Sequence, residues 1–444
     1  MYSRLAFLFV LYYVAVAMTQ PQNRFLFLHP FQPAQLAFLV ACGFHFLAVT
    51  QEGRPVVRWG PATKFAFVLL FMGLLSQYFN PLASSTAWNG FIDQLVKGAL
   101  AVILLEATAT NIYRVWAVQG TILLTTLWWI KAGLRLGHAG AIYAGDRIMG
   151  PAVSMVENPN AYAYFTCVTI CVYLYFFQQY HNKYLKGGFL AMAVASVWIV
   201  FNTGSRTGMV LLFFLALFLL PKYGTQHKTA LIVIALATPL LFGTIGAMNV
   251  ERFRTIPDSA RAFFRGEVGR DLRGLDADAH SAAERSLKNQ DTWRLIKRYP
   301  LMGAGMLPDN SLFTGPYTFA YGQVHNEFLM AGRQMGFPGL ALYITMLFIL
   351  FQRGLKVQLY AKGWWPAMSD LGWTFKLQAL VIAVGGFFNP LPWNTYTMVL
   401  VASASALWLN LQEGRIYPEA VPGEGLATAA PAPQKPELAA ARSG

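Results

Sequence analysis

Residues 325–352 read HNEFLMAGRQMGFPGLALYITMLFILFQ. After His325 and Asn326 the run is apolar and longer than the about 20 residues that a helix needs to cross a bilayer. The residues ahead of it, 249–323, form the chain's one long polar insertion. His325 therefore stands where the chain re-enters the apolar phase, a titratable side chain facing a basic, water-exposed segment. Gly332, Gly336 and Gly339 let this helix pack closely, and Pro338 is expected to kink it.

Outward from this stretch the same pattern recurs. Of 444 residues, 56% are hydrophobic and only 12% are charged, whereas soluble proteins carry about 25% charge. Runs able to span a bilayer fall near 4–19, 33–50, 64–80, 91–109, 113–132, 161–180, 187–203, 207–221, 229–248, 326–352, 373–389 and 393–411. The expected fold is an all-α polytopic membrane protein of about twelve transmembrane helices. One large, partly helical outer loop falls between spans nine and ten. Residues 1–248 would hold spans one to nine, 249–323 the loop domain, 324–411 spans ten to twelve, and 412–444 a disordered tail rich in Ala, Pro, Glu and Gly.

The net charge of +14 is a matter of sidedness. Arg54, Arg58, Lys64, Arg114, Lys183, Lys186, Lys222, Lys228, Arg353, Lys356 and Lys362 cluster at alternate connections, whereas 80–90 and 389–394 contain no Lys or Arg. The positive-inside rule places both termini in the cytoplasm and the long insertion outside. No basic stripe with interleaved aromatics points to nucleic acid. Cys42, Cys167 and Cys171 lie within apolar runs and read as buried hydrophobes. The first run lacks a small-residue cleavage site after it and reads as a retained helix.

Within the insertion arginine outnumbers lysine, which suits bidentate contact with phosphate. Residues 281–299 have helical spacing, with Leu287, Trp293 and Ile296 expected on one side and Arg285, Lys288 and Arg294 on others. The alternative is an amphipathic helix lying on the headgroups. Asp276-Ala277-Asp278, near His280, imitates paired metal-holding acids, but no further acid or histidine cluster supports it and no metal is expected. The first outward connection, 20–32, has no acid at all.

Arg206 lies in the tight turn Thr203-Gly204-Ser205-Arg206-Thr207-Gly208. It either snorkels to the interface or points into a cavity that the surrounding small residues allow. Asn158 or Asn160, in Glu157-Asn158-Pro159-Asn160, reads as a helix N-cap, and Arg147 precedes it as an outer-loop candidate contact. His325 at a helix N-terminus meets the positive end of the dipole, which disfavours imidazolium and leaves a ring able to accept a proton.

These residues resemble the O-antigen ligase and polymerase superfamily of bacterial membrane glycosyltransferases. The resemblance rests on His325, Asn326, nine residues, then Gly336-x-x-Gly339. Ser205-Arg206-Thr207, Asn158-Pro159-Asn160, and Trp293 followed by Pro300-Leu301-Met302-Gly303-Ala304-Gly305 support it. One departure stands out: Asn289 occupies the place, one turn before the tryptophan, where relatives carry arginine. Arg285 lies a further turn back, and Lys288 competes with it.

The resemblance implies a metal-independent, cofactor-free transfer of a glycan from undecaprenyl diphosphate to a sugar hydroxyl of lipid A–core. The active site would face the periplasm from the bacterial inner membrane. His325 would be the base, and Arg206 and Arg285 would hold the donor diphosphate. Arg147, Lys288 and Asn326 are further substrate-binding candidates. Polymerases and protein O-glycosylation ligases share the same donor. A transporter is the alternative of another class, resting on the charges Lys97, Glu106 and Lys376 in apolar runs, without an inverted repeat.

Overall fold

Asparagine starts four of the helices. Asn158, Asn182, Asn326 and Asn394 each accept a backbone N–H in the first turn that follows, from Asn160 (2.8 Å), Tyr184 (2.9 Å), Leu329 (3.0 Å) and Thr397 (2.8 Å). Each such cap satisfies a donor that the helix itself cannot, a contribution of about 1 kcal/mol.

The computed structural model describes residues 1–79, 87–139, 142–143, 147–151, 154, 156–223, 277–306, 315–320, 322 and 324–415. Within them the chain is helical: α1 Tyr2–Thr19, α2 Pro33–Glu52, α3 Pro61–Tyr78, α4 Lys97–Thr108, α5 Ile112–Ala139, α6 Pro159–Gln179, α7 Lys183–Asn202, α8 Arg206–Tyr223, α9 Ala277–Arg298, α10 Glu327–Ala361, α11 Pro366–Gly385 and α12 Thr395–Gln412, with shorter turns between. Two short antiparallel strands, Ile142–Tyr143 and Arg147–Ile148, pair before α6.

Among the described residues five helical stretches are long and apolar enough to cross a membrane: Tyr2–Thr19, Leu26–Glu52, Pro159–Gln179, Lys183–Asn202 and Glu327–Ala361. Helices also cover the expected spans at Pro61–Tyr78, Pro366–Gly385 and Thr395–Gln412, without reaching that apolarity. α12 shows one reason: Thr397, Ser403, Ser405 and Asn410 are fully buried, so its polar side chains face protein. The expected ninth span, most of the outer loop and the tail beyond 415 lie outside the described residues.

α6 is the most enclosed of the five apolar stretches. Every residue from Ala161 to Tyr173 is buried, as expected of a helix apolar on all sides. Cys167 and Cys171 belong to that core and all three cysteines are free thiols. Leu8, Leu39, Phe46, Phe213 and Phe348 point outward.

α10 is broken where Met335 and Gly336 leave helical geometry, Gly336 at φ 68° and ψ −158°. Pro338 has no N–H for the Gln334 carbonyl. Gly305 N (3.2 Å) and Ser76 Oγ (2.8 Å) take that carbonyl instead. Ala304 N donates to Arg333 O (2.6 Å), and Phe337 N donates to Pro300 O (2.7 Å). The expected kink is thus a socket that holds the segment 300–305.

The charges that would suggest transport have structural partners. Glu106 is fully buried and its Oε2 accepts Thr63 N at 2.8 Å, capping α3 from the neighbouring α4. Gly60 leaves room for that carboxylate. Lys376 donates to Gln358 Oε1 at 2.8 Å.

Candidate functional site

α9 is wedged between two neighbours. Leu295 packs with Ala304 and Ala320, and Asp291, fully buried, accepts Phe319 N (3.2 Å) and Arg294 Nη1 (3.0 Å). Ile296 closes over Gly332 of α10. The expectation that Leu287, Trp293 and Ile296 share one side needs correction. Leu287 and Ile296 are buried, whereas Trp293 is 40% exposed and meets Phe337 edge-on at 5.8 Å. At 100° per residue, covering two adjoining faces leaves Trp293 on the remaining arc.

This wedge turns Arg285 and Lys288 toward His325. The imidazole lies half-buried just ahead of α10. Its pKa is lowered from 6.5 to about 4, first by burial, then by the positive charges of Arg285 and Lys288, against opposition from Glu284. The ring is neutral at physiological pH, but a different cause dominates than the helix dipole expected from sequence. Lys288 forms an ion pair with Glu284 at 2.9 Å, one turn apart. Asn326 is buried and its Oδ1 caps α10.

A second polar group forms at the starts of α6 and α8. The Arg147 guanidinium donates to Thr203 O (2.8 Å) and Asn160 Oδ1 (3.0 Å), and Ser205 Oγ donates to the same Asn160 oxygen (2.9 Å). Asn158 is the cap, which decides between the two asparagines that sequence left open for that role, and Asn160 is the bridge. Arg206, half-buried, is the first residue of α8. Gly208 fits against Ala163 and Val200, too close for a larger residue.

Both groups lie at the same end of the bundle. Tyr164, one turn beyond Asn160 in α6, donates to Glu327 Oε2 at 3.5 Å. Glu327 follows His325 by two positions. Gly385 of α11 seats the Tyr164 ring, and a Cβ there would also meet Leu211 of α8 at 3.4 Å. The structure thus brings Arg285 and Lys288 to His325, and gathers Arg147 and Arg206 on the flank reached through Tyr164.

Sequence reading passed over Arg333 and Glu327. Both are buried charged residues of an apolar span, which is itself a signal of a constrained site. Glu327 accepts from Asn389 Nδ2 at 2.6 Å and from the Tyr343 hydroxyl. Arg333 Nη1 donates to Ala320 O (2.8 Å) and Gly322 O (2.6 Å).

Among the described residues no group of three or more His, Cys, Asp or Glu is assembled to hold a metal. Asp276 is outside the described residues, as are the side chains of Asp278 and His280. What the arrangement can do chemically is receive an anion beside a neutral base.

Residues 191–344 match the family model described as O-Antigen ligase. That segment contains Arg206, Arg285, Lys288, His325 and Asn326, and leaves Arg147 outside it. No curated protein matches the chain.

Proposed function

We propose, for a chain whose residues 191–344 match the O-antigen ligase family model, that it transfers a glycan from undecaprenyl diphosphate to a sugar hydroxyl of lipid A–core. The observation that carries this reading is the pairing of a neutral His325 with the positive charges of Arg285 and Lys288. In the reaction the acceptor oxygen bonds to the donor's anomeric carbon, and the bond from that carbon to the diphosphate oxygen breaks. The lipid diphosphate leaves with the electron pair. The hydroxyl proton passes to His325 and then to solvent.

Guanidinium groups, Arg285 and Arg206, stabilise the leaving diphosphate in place of a divalent cation. Arg147 sets the Asn160–Ser205 turn from which Arg206 emerges, and Lys288 with Asn326 completes the basic rim and the helix start. In this reading about twelve spans cross the bacterial inner membrane. Both termini are cytoplasmic, and the segment 249–323 stands in the periplasm.

Reconstitution of the purified chain with a defined lipid-linked donor and a lipid A–core acceptor tests the proposal. Transfer that persists in His325→Ala removes the base. A polymerase of the same superfamily uses the same donor but extends it. A deletion strain separates the two: core-only lipopolysaccharide with accumulated lipid-linked polymer indicates ligation, and core bearing a single repeat unit indicates polymerisation.

A further inference from the structure

His325 lies between the short turn Gly315–Ala320 and the start of α10. No described residue makes a hydrogen bond to its imidazole, so the placement of the ring depends on its backbone. That backbone is tied on both sides by buried charges. Upstream, Arg333, 3% exposed, reaches from α10 to hold the carbonyls of Ala320 and Gly322. Downstream, the fully buried Glu327 draws together Tyr164 of α6, Tyr343 of α10 and Asn389 after α11, while its N–H donates to Gly386 O at 2.6 Å.

A buried cation ordinarily sits beside a carboxylate, because desolvation is costly. Among the described residues Arg333 has no such partner, only the two carbonyls, and its Nε makes no hydrogen bond. Nor does any described cation face Glu327, whose three side-chain partners are neutral donors. Simple packing would be served as well by apolar residues of similar volume. What these two groups have in common is the stretch between them, 320–327, with His325 inside it.

We propose that Arg333 and Glu327 are positioning residues that clamp the His325 backbone from either side and aim its imidazole at the acceptor hydroxyl. The proposal rests on the reading of His325 as base. Neither residue touches the reacting atoms.

The test uses the full chain in nanodiscs with Arg333→Met, Arg333→Lys and Glu327→Gln. Diethyl pyrocarbonate modification of His325 at pH 7.5, read by peptide mass spectrometry, reports its accessibility without needing activity. In Arg333→Met and Glu327→Gln the modification rate is expected to rise several-fold. Misplacement of the ring lowers kcat roughly 100-fold with little change in donor KM. The acid limb of the rate profile should also move up toward the usual histidine range as the ring hydrates. Arg285, Lys288 and Glu284 still face the imidazole in these variants, so that shift reports loosening. Arg333→Lys, which keeps the charge and reaches one carbonyl, should fall between; it decides the matter if Arg333→Met does not accumulate in membranes.

A wild-type modification rate and an unmoved acid limb in Arg333→Lys and Glu327→Gln would overturn the clamp. Retained transfer in His325→Ala would instead overturn the assignment of the base, and the modification rates would still decide the clamp on their own.

Discussion

Gly303 and Gly336 lie back to back: a Cβ on Gly303 would stand 2.6 Å from the Gly336 nitrogen. Gly303 has φ 64°, and Gly336 combines φ 68° with ψ −158°, a conformation open essentially to glycine alone. The loop 300–305 and the break in α10 therefore specify each other. Gly336→Ala should lower stability by about 1–3 kcal/mol from backbone strain, and more once Pro300 is displaced. Gly120→Ala is the control, a helical glycine with open space around it, expected to be neutral or stabilising by up to about 1 kcal/mol. Thermal unfolding in detergent distinguishes the two.

The imidazole of His325 titrates near pH 4 in the native state and near 6.5 when unfolded. Between those values the unfolded chain holds a proton that the native chain does not. The stability from this group is thus complete above pH 6.5 and is lost as pH falls toward 4. Relative to His325→Gln, the wild type should lose unfolding temperature across that window and not above it. Transfer should stay flat from pH 8 to about 6 on account of this base.

The charges around the imidazole act with opposite signs. Removing positive charge, in Arg285→Ala or Lys288→Ala, should raise the His325 pKa. Glu284→Gln should lower it further. Among the two cations, Arg285→Ala should cost more transfer, because a guanidinium offers a diphosphate the bidentate fork that an ammonium lacks. Rate profiles of the three variants check both statements; shifts of one sign in all three would refute the arrangement.

Arg206 opens α8 beside a turn that Asn160 and Arg147 hold in place. Arg206→Ala should weaken binding of the lipid diphosphate donor. Arg206→Lys should restore it only in part, since an ammonium lacks the bidentate fork. Equilibrium binding of a fluorescent donor measures this. Unchanged affinity in both variants would reduce Arg206 to an interfacial anchor.

Much of this was legible from periodicity. The helix start after Asn158 was legible because capping is a local hydrogen-bond requirement. The break near Pro338 was legible for the same reason, a missing N–H. Trp293 was misplaced because a helical wheel shows a residue's angle but not how many neighbours cover the helix. Glu106 read as an intramembrane charge because its partner, Thr63 N, lies 43 positions away.

Residue order alone establishes that the chain is helical, apolar and multi-pass, and that a histidine stands where a polar insertion meets a spanning run. Hydropathy and caps are properties of contiguous residues, so they survive without a fold. Packing was needed to show that Arg285 and Lys288 confront that histidine, and that Asn326 is spent on a cap. It also revealed that Arg333 and Glu327 grip the segment between them. Burial, charge proximity and hydrogen bonds between distant residues arise only when α6, α9, α10 and α11 come together.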